Sequence, residues 1–542
     1  MPSHFLGIDV GTGSARAGVF DIKGTMLASA KRDIALFIEP GEIAEQSSED
    51  IWRAVCASVR EAVAKSGLGP RDIAGIGFDA TCSLVVVGQG GAPLAVGRSG
   101  DSQRNIIVWM DHRALDQAQR INAGKHRVLD YVGGTISPEM ETPKLLWLSE
   151  NLPESFAAAE HFFDLTDYLT WRSTGSLARS ICTVTCKWTY LGHERRWDEA
   201  YFRAIGLGVL ADEGFARIGT EIVEGGTALA QGLTETAANE LGLLPGTPVA
   251  AGLIDAHAGG VGTVGGQAPN QGKGSAGTLQ SRMAYVFGTS ACTMASTSEP
   301  AFVPGVWGPY FSSMVPGFWL NEGGQSAAGA AIDHLLGLHP ASVEAAAQAK
   351  AQGLSLAAWL GQQAETCSAD LSAVARLAEG LHVVPEFLGN RSPFADPEAK
   401  ALIAGMSMDN SLDSLVALYV AGLLGLGYGV RQIVAAMAAK KIAIDTIVVS
   451  GGAAQSELVR QLLADTTGLT VAGSTSPEPV LLGSAILGAV AARNYPEVIS
   501  AMTGMSRIGE IYRPAGGDLV AWHDKRFAAF ELLQQAGRAI RD

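Results

Sequence analysis

The chain has 542 residues, 47% hydrophobic and 17% charged, with a formal net charge of −15. That length implies two or more domains, and the composition is that of a folded protein, not a disordered one. The acidic excess argues against general binding to nucleic acid or anionic membranes, without forbidding one local anion site. No basic segment followed by an apolar stretch opens the chain, so no signal peptide is read and a cytoplasmic location is expected. The longest apolar run, Leu415 to Val430, is shorter than a membrane span and is cut by four glycines, so a buried helix is expected there. Of six cysteines only Cys182 and Cys186 are close. No second pair completes a zinc site, and free thiols are expected.

In chain order, Phe5 to Val10 is an apolar run of strand formers interrupted by Asp9. Gly11-Thr12-Gly13-Ser14 follows, then Arg16, then a second strand over Ala17 to Phe20. A dinucleotide loop needs a third glycine near position 16 and a helix after it. Arg16 and a strand stand there instead, so the pattern reads as a hairpin whose glycine turn can approach a phosphate, with Asp9 aimed at the turn. Ser47 to Asp50 caps a helix, Ile51, Val55, Val59 and Val63 recur every four residues, and Gly67 ends it. Ile73 to Phe78 reads as a buried strand ended by Asp79, with Ala80-Thr81-Cys82 joining it to another at Ser83 to Val87. Strands alternating with a helix predict an α/β domain.

Further on, Trp109 reads as core, and Asp111, His112 and Arg113 crowd one junction where Asp111 could cap a helix. Pro143 to Leu148 reads as the start of an amphipathic helix. Lys187, alone among apolar and hydroxyl residues, reads first as a snorkelling surface lysine. Pro248 to Ile254 is a predicted strand running into Asp255-Ala256-His257, with Asp255 as a helix N-cap. Gly262 to Thr278 is a predicted linker, which sets the boundary between domains 1–267 and 268–542. Gly272-Lys273 within it lacks the spacing of a P-loop.

The second half opens like the first: Met283 to Phe287, then Gly288-Thr289-Ser290, then Ala291 to Ala295. Two glycine–threonine hairpins, each opening one half of the chain, suggest duplicated domains facing a shared anion. Pro385 to Pro397 is a polar loop containing Asn390 and Arg391. Near the end, Gly451-Gly452 follows a strand and Ser456 opens a helix, and Trp522 to Ile540 reads as a closing helix.

Taken together, Asp9 to Arg16, Phe287 to Ser290 and Val449 to Asp465 resemble the two phosphate motifs and the adenosine motif of the sugar kinase–actin–chaperone ATPases. Asp79 and the helix from Gly483 look like the interdomain connectors. Leu253 to Gly260 and Glu322-Gly323-Gly324-Gln325-Ser326 narrow the likeness to the FGGY carbohydrate kinases. The resemblance implies an α/β fold of two ribonuclease-H-like, actin-like ATPase domains flanking a central cleft, with ATP as co-substrate. It implies Asp255 as general base and Gly11, Thr12, Gly13, Ser14, Arg16, Gly288 and Thr289 at the phosphates. Asp9 would organise Mg²⁺ through water, and Gly329, Asp333, Gly451, Gly452 and Ser456 would line the nucleotide.

Glycerol kinases carry Arg-Glu where this chain has Thr81-Cys82, and xylulokinases Gln-Met-His-Gly in that stretch. The likeness therefore runs to the ribulokinase branch, with Thr81, Cys82, Asp111, His112, Lys187, Asp255 and Glu322 at the sugar. It implies transfer to the terminal hydroxyl of a pentulose, foremost D-ribulose at O5. Ribitol, L-ribulose or a related ketose stay open as alternatives. From other classes, a non-catalytic sugar–nucleotide sensor or a protein-directed ATPase stays open too. The expected partners are a small sugar and MgATP, with no nucleic acid and no membrane, and a homodimer is left open. Glu141 departs from the small residue or proline usual before Pro-Lys.

Overall fold

The computed structural model describes residues 3–267, 279–368, 370–452 and 455–541. The expected linker after Gln267, with its Gly272-Lys273 pair, lies outside the described residues. Two mixed sheets organise the chain, and they repeat one plan.

In the first half, β1 (His4–Val10), β2 (Ser14–Phe20) and β3 (Met26–Asp33) form an antiparallel meander. Helix α1 (Ser48–Ser66) crosses over to β4 (Ile73–Ala80), which pairs in parallel with β1 and sets Asp9 beside Asp79. Ser47 caps α1 by accepting from the Asp50 N–H, and Gly67 ends it in the left-handed region, as the sequence predicts. Strand β4 does not stop at Asp79 but runs on through Ala80. Helix α2 (Glu141–Asn151) is buried along its first eight residues, so it is not the amphipathic helix expected. Helix α3 (Ile181–Lys187) is wholly buried. Of the strand expected over Pro248 to Ile254, only β5 (Leu253–Ile254) forms regularly, parallel to β4. Helix α4 (Asp255–Val261) follows without a gap.

The second half repeats the pattern. β6 (Arg282–Phe287) and β7 (Ala291–Thr297) make the second hairpin, with β8 (Trp307–Phe311) and β9 (Trp319–Gln325) extending it antiparallel. Helix α5 (Gly329–Gly337) and the 27-residue α6 (Leu412–Ala438) lead to β10 (Thr446–Ser450), parallel to β6. Helix α6 is longer than the apolar run suggested, enough by length and composition to span a bilayer, but 78% of its most apolar window is buried against the fold. Then come α7 (Glu457–Thr467), β11 (Thr470–Ser474), α8 (Pro479–Ala491), β12 (Ile508–Tyr512) and α9 (Asp518–Ala539). The sheet orders are β5-β4-β1-β2-β3 and β8-β9-β7-β6-β10-β11-β12. In both, the first hairpin strand lies at the centre with its antiparallel partners on one side and parallel strands on the other, where the second sheet adds β12, antiparallel to β11, at its edge.

Helix α8 ties the halves together. It belongs to the second half by sequence, yet it lies on β1 and β4 of the first sheet and against α4. Its backbone comes so close that a Cβ on Gly7 would sit 1.8 Å from the Leu481 carbonyl oxygen, and one on Gly77 would sit 1.9 Å from that of Ser484. Ser484 Oγ bonds the buried Asp79 Oδ2 at 2.5 Å. Burial, followed by the neighbouring Asp9 charge, raises the Asp79 pKa well above the usual range.

Candidate active site

The carboxyl ends of the parallel strands from both sheets face one another across a cavity of about 350 Å³, where α/β sheets bind ligands. From the first sheet it is lined by Asp9, Gly11, Thr12 and Arg16, and from the second by Gly288 and Thr289. The two glycine–threonine turns are thus opposite walls of one space. Thr12 is held by Trp109, whose Nε1 donates to Thr12 Oγ1 at 3.0 Å, and by Gln46, whose Nε2 donates to the Thr12 carbonyl at 2.8 Å. Trp109 is therefore cavity wall, not the simple core residue its sequence context suggested. Gly13 and Ser14 close the turn without lining the cavity; the Gly11 N–H donates to the Ser14 carbonyl at 3.0 Å. Arg16 is gripped by Asp9 on one side, Nε to Oδ2 at 2.6 Å, and by Glu478 at the start of α8 on the other, at 2.7 Å.

The second turn is backed by α5. The Gly288 carbonyl accepts from the Gly329 N–H, and the Thr289 carbonyl from the N–H groups of Ala328 and Ala330. Gly451, with φ +96°, lies against the Phe287 carbonyl, where any Cβ would come within 2.3 Å. Gly329 and Gly451 therefore sit around this turn. Gly452 is exposed beside Gly451, and Ser456 caps α7 by accepting from the Val459 N–H. Asp333 is exposed on α5 and does not line the cavity.

Asp255 enters from the end of β5. It is the first helical residue of α4, with Ile254 as N-cap, so the expected capping role is not what the structure shows. Its Oδ1 accepts from the next N–H, of Ala256, at 2.7 Å. Burial, then the Asp9 charge, pushes its pKa up to about 6, outweighing that N–H bond. Thr81, Cys82, Lys187 and Glu322 also line the cavity. Lys187 is buried, not snorkelling, because α3 is enclosed on all sides; its Nζ stands 4.7 Å from the Trp307 ring centroid. Glu322 Oε2 pairs with His257 Nε2 at 3.1 Å. Burial opposes ionisation of Glu322, but His257 and Lys187 hold its pKa down at about 2.

Asp111 and His112 stand outside this lining. Asp111 caps no helix, since the nearby helix begins at Leu115. Its carboxylate is taken up by the Ala44 N–H and by Arg113, whose second partner is Glu45. His112 reaches the cavity only through Glu139, 3.6 Å from its Nε2. Among the described residues, sequence reasoning missed Glu139, Cys292, Trp307 and Arg391, all in the lining. Arg391 arrives on the polar loop, anchored where Ser392 Oγ bonds the Gly305 carbonyl; a local reading could flag the loop but not where it lands. Cys182 and Cys186 turn out to have a third neighbour. With His257 they place three ligand atoms within 4.8 Å of one another, all buried. Both His257 nitrogens are already engaged, Nδ1 by Cys182 Sγ at 3.1 Å and Nε2 by Glu322. Behind them, Glu141 pairs with Lys144 inside α2, and burial raises its pKa to about 7.

Residues 4–262 match the N-terminal domain, and residues 283–492 the C-terminal domain, of the FGGY family of carbohydrate kinases. The chain belongs to that family. As an FGGY kinase it is an ATP-dependent carbohydrate kinase. It is 45% identical over 532 residues to a human FGGY carbohydrate kinase domain-containing protein, covering 98% of this chain and 96% of the relative. It is 40% identical over 515 residues to a D-ribulokinase of Saccharomyces cerevisiae, covering 91% of this chain and 72% of that one. A crystal structure of a xylulose kinase from Brucella ovis shares the fold, with TM-score 0.80 at 19% identity and coverage of 99% and 100%.

Proposed function

We propose that this FGGY kinase phosphorylates the terminal hydroxyl of a pentulose, foremost D-ribulose at O5. The observation that carries the reading is the convergence of Asp255, Lys187 and Glu322 with both glycine–threonine turns on one cavity of pentose-plus-phosphate size. The likeness to a D-ribulokinase supports the choice of sugar.

In this reading Thr12 and Thr289 receive the phosphates from opposite walls, and Asp255 accepts the proton of the attacking hydroxyl. Phosphoryl transfer mainly needs positioning, charge neutralisation and one proton acceptor. Asp9 offers hard carboxylate oxygen beside the first turn, the donor type magnesium prefers, so it fits as the residue that would hold Mg²⁺ through water. When bound, Mg²⁺ supplies charge neutralisation on the phosphates. Glu322, kept ionised, and Lys187 hold sugar hydroxyls, and a wrong stereoisomer leaves such buried groups unpaired.

An ATP-consumption screen over D-ribulose, L-ribulose, ribitol, xylulose, gluconate and glycerol tests the reading. Turnover should be greatest with D-ribulose. Fast turnover of glycerol or gluconate with none of any pentulose would refute it. The pH profile gives a second check. Asp255 can accept a proton only when ionised, so kcat/KM is expected to rise with pH through about 6 and to fall tenfold per unit below it. A flat profile down to about pH 4.5 would show that another group takes the proton.

A further inference from the structure

Three buried groups of the first half have no part in phosphoryl transfer. Cys182 and Cys186 stand four apart on α3, a spacing that turns both thiols to one face of the helix. His257 reaches them from the first turn of α4, because β5 packs against both helices. All three side chains are fully buried and neither thiol is in a disulfide. One ligand atom from each lies within 4.8 Å of the other two, and Cys182 Sγ is 3.1 Å from His257 Nδ1.

What surrounds these atoms matters as much as their spacing. His257 Nε2 faces Glu322 Oε2 at 3.1 Å. An ionised carboxylate only accepts, so Nε2 carries a proton, and Nδ1 is the nitrogen left to face the thiols. An imidazole held by a carboxylate on its far nitrogen is the arrangement that orients metal-ligating histidines. On the other side the Ile254 N–H donates to Cys182 Sγ at 3.4 Å, which steadies a sulfur carrying negative charge. Zinc, at about 2.3 Å from sulfur and about 2.0–2.1 Å from imidazole, holds S and N roughly 3.6 Å apart and two S roughly 3.8 Å apart. Cys182 and His257 need to part by only about 0.5 Å to meet that geometry.

We propose that Cys182, Cys186 and His257 form a site for a thiophilic metal ion, zinc, with the fourth position left to a water. Two sulfurs and an imidazole suit zinc and not the oxygen-preferring magnesium of a nucleotide, so the site is separate from Asp9. The ion takes the place of the protons otherwise shared between the thiols and Nδ1. It carries out no step of phosphoryl transfer. By occupying Nδ1 it keeps the proton on Nε2, and so holds the Glu322 carboxylate in place at the cavity wall.

The test uses the full chain, expressed with zinc supplied and freed of loosely bound metal by gel filtration. Elemental analysis is expected to find about one zinc per chain. Cys182→Ser/Cys186→Ser should lose at least roughly tenfold of it, whereas Cys367→Ser, an exposed thiol on another element, should keep it. Should the double variant fold poorly, the wild type decides: with cobalt in place of zinc it should show the sulfur-to-cobalt charge-transfer band of a thiolate site. Glu322→Ala should weaken zinc binding about 10–100-fold, as loss of a carboxylate behind a ligating histidine does. A wild type that carries no zinc, a cobalt form without the sulfur band, or a double variant that keeps its zinc overturns the site. Zinc affinity unchanged in Glu322→Ala overturns the link to the cavity wall. None of these readouts involves a sugar, so the pentulose reading can fail without affecting them.

Discussion

Asp255→Asn is expected to bind ATP and D-ribulose with near-normal affinity and to lose turnover by about 10²–10⁴-fold, the usual contribution of a positioned general base. The substitution keeps the shape and the contact with the Ala256 N–H but removes the proton acceptor. It also removes a charge that burial and Asp9 already disfavour, so the folded protein should be no less stable. Single-turnover kinetics with both ligands saturating separates the two effects. Normal turnover would end the assignment of Asp255; lost sugar binding would recast it as a binding residue.

The second large effect is structural. Gly77→Ala places a methyl group 1.9 Å from the Ser484 carbonyl oxygen, in the floor of the first sheet, where the three nearest atoms are all Ser484 backbone. Neither element can yield cheaply: β4 is paired on both sides, with β5 and β1, and α8 also holds Asp79 through Ser484. Overpacking of this kind costs about 3 kcal/mol or more. Urea unfolding should show a lowered midpoint, and activity should fall even though Gly77 touches no part of the cavity lining. Unaltered stability would mean that α8 is free to shift on the sheet.

How much of this could be read from the residues alone depended on whether the signal was local. The two hairpins are local, and their residues announce both turns, which the structure forms and sets in the cavity lining. Asp255 read by itself only as a helix N-cap; its place in the site came from the family resemblance, and the structure puts it in the cavity lining as the first residue of α4. Lys187 was misjudged because a lone lysine is usually at the surface; nothing near it in sequence shows that α3 is enclosed. Asp111 was placed at the sugar on likeness, whereas Arg113, two residues on, claims its carboxylate. Glu139, Trp307 and Arg391 were missed for one reason. Each reaches the cavity on a segment whose path is set by packing between distant elements, and the sequence around each carries no periodic pattern to betray it.

The seam between α8 and the first sheet has a consequence for anyone dividing this molecule. The polypeptide does not finish its first lobe before starting the second. It returns some two hundred residues later to roof the sheet it began with. A fragment ending near residue 267 would expose the apolar faces of β1 and β4 to water and lose the partner of Asp79. The halves repeat one plan, but only the second crossing of the chain makes the first half a finished body, so the unit of folding here is the whole enzyme.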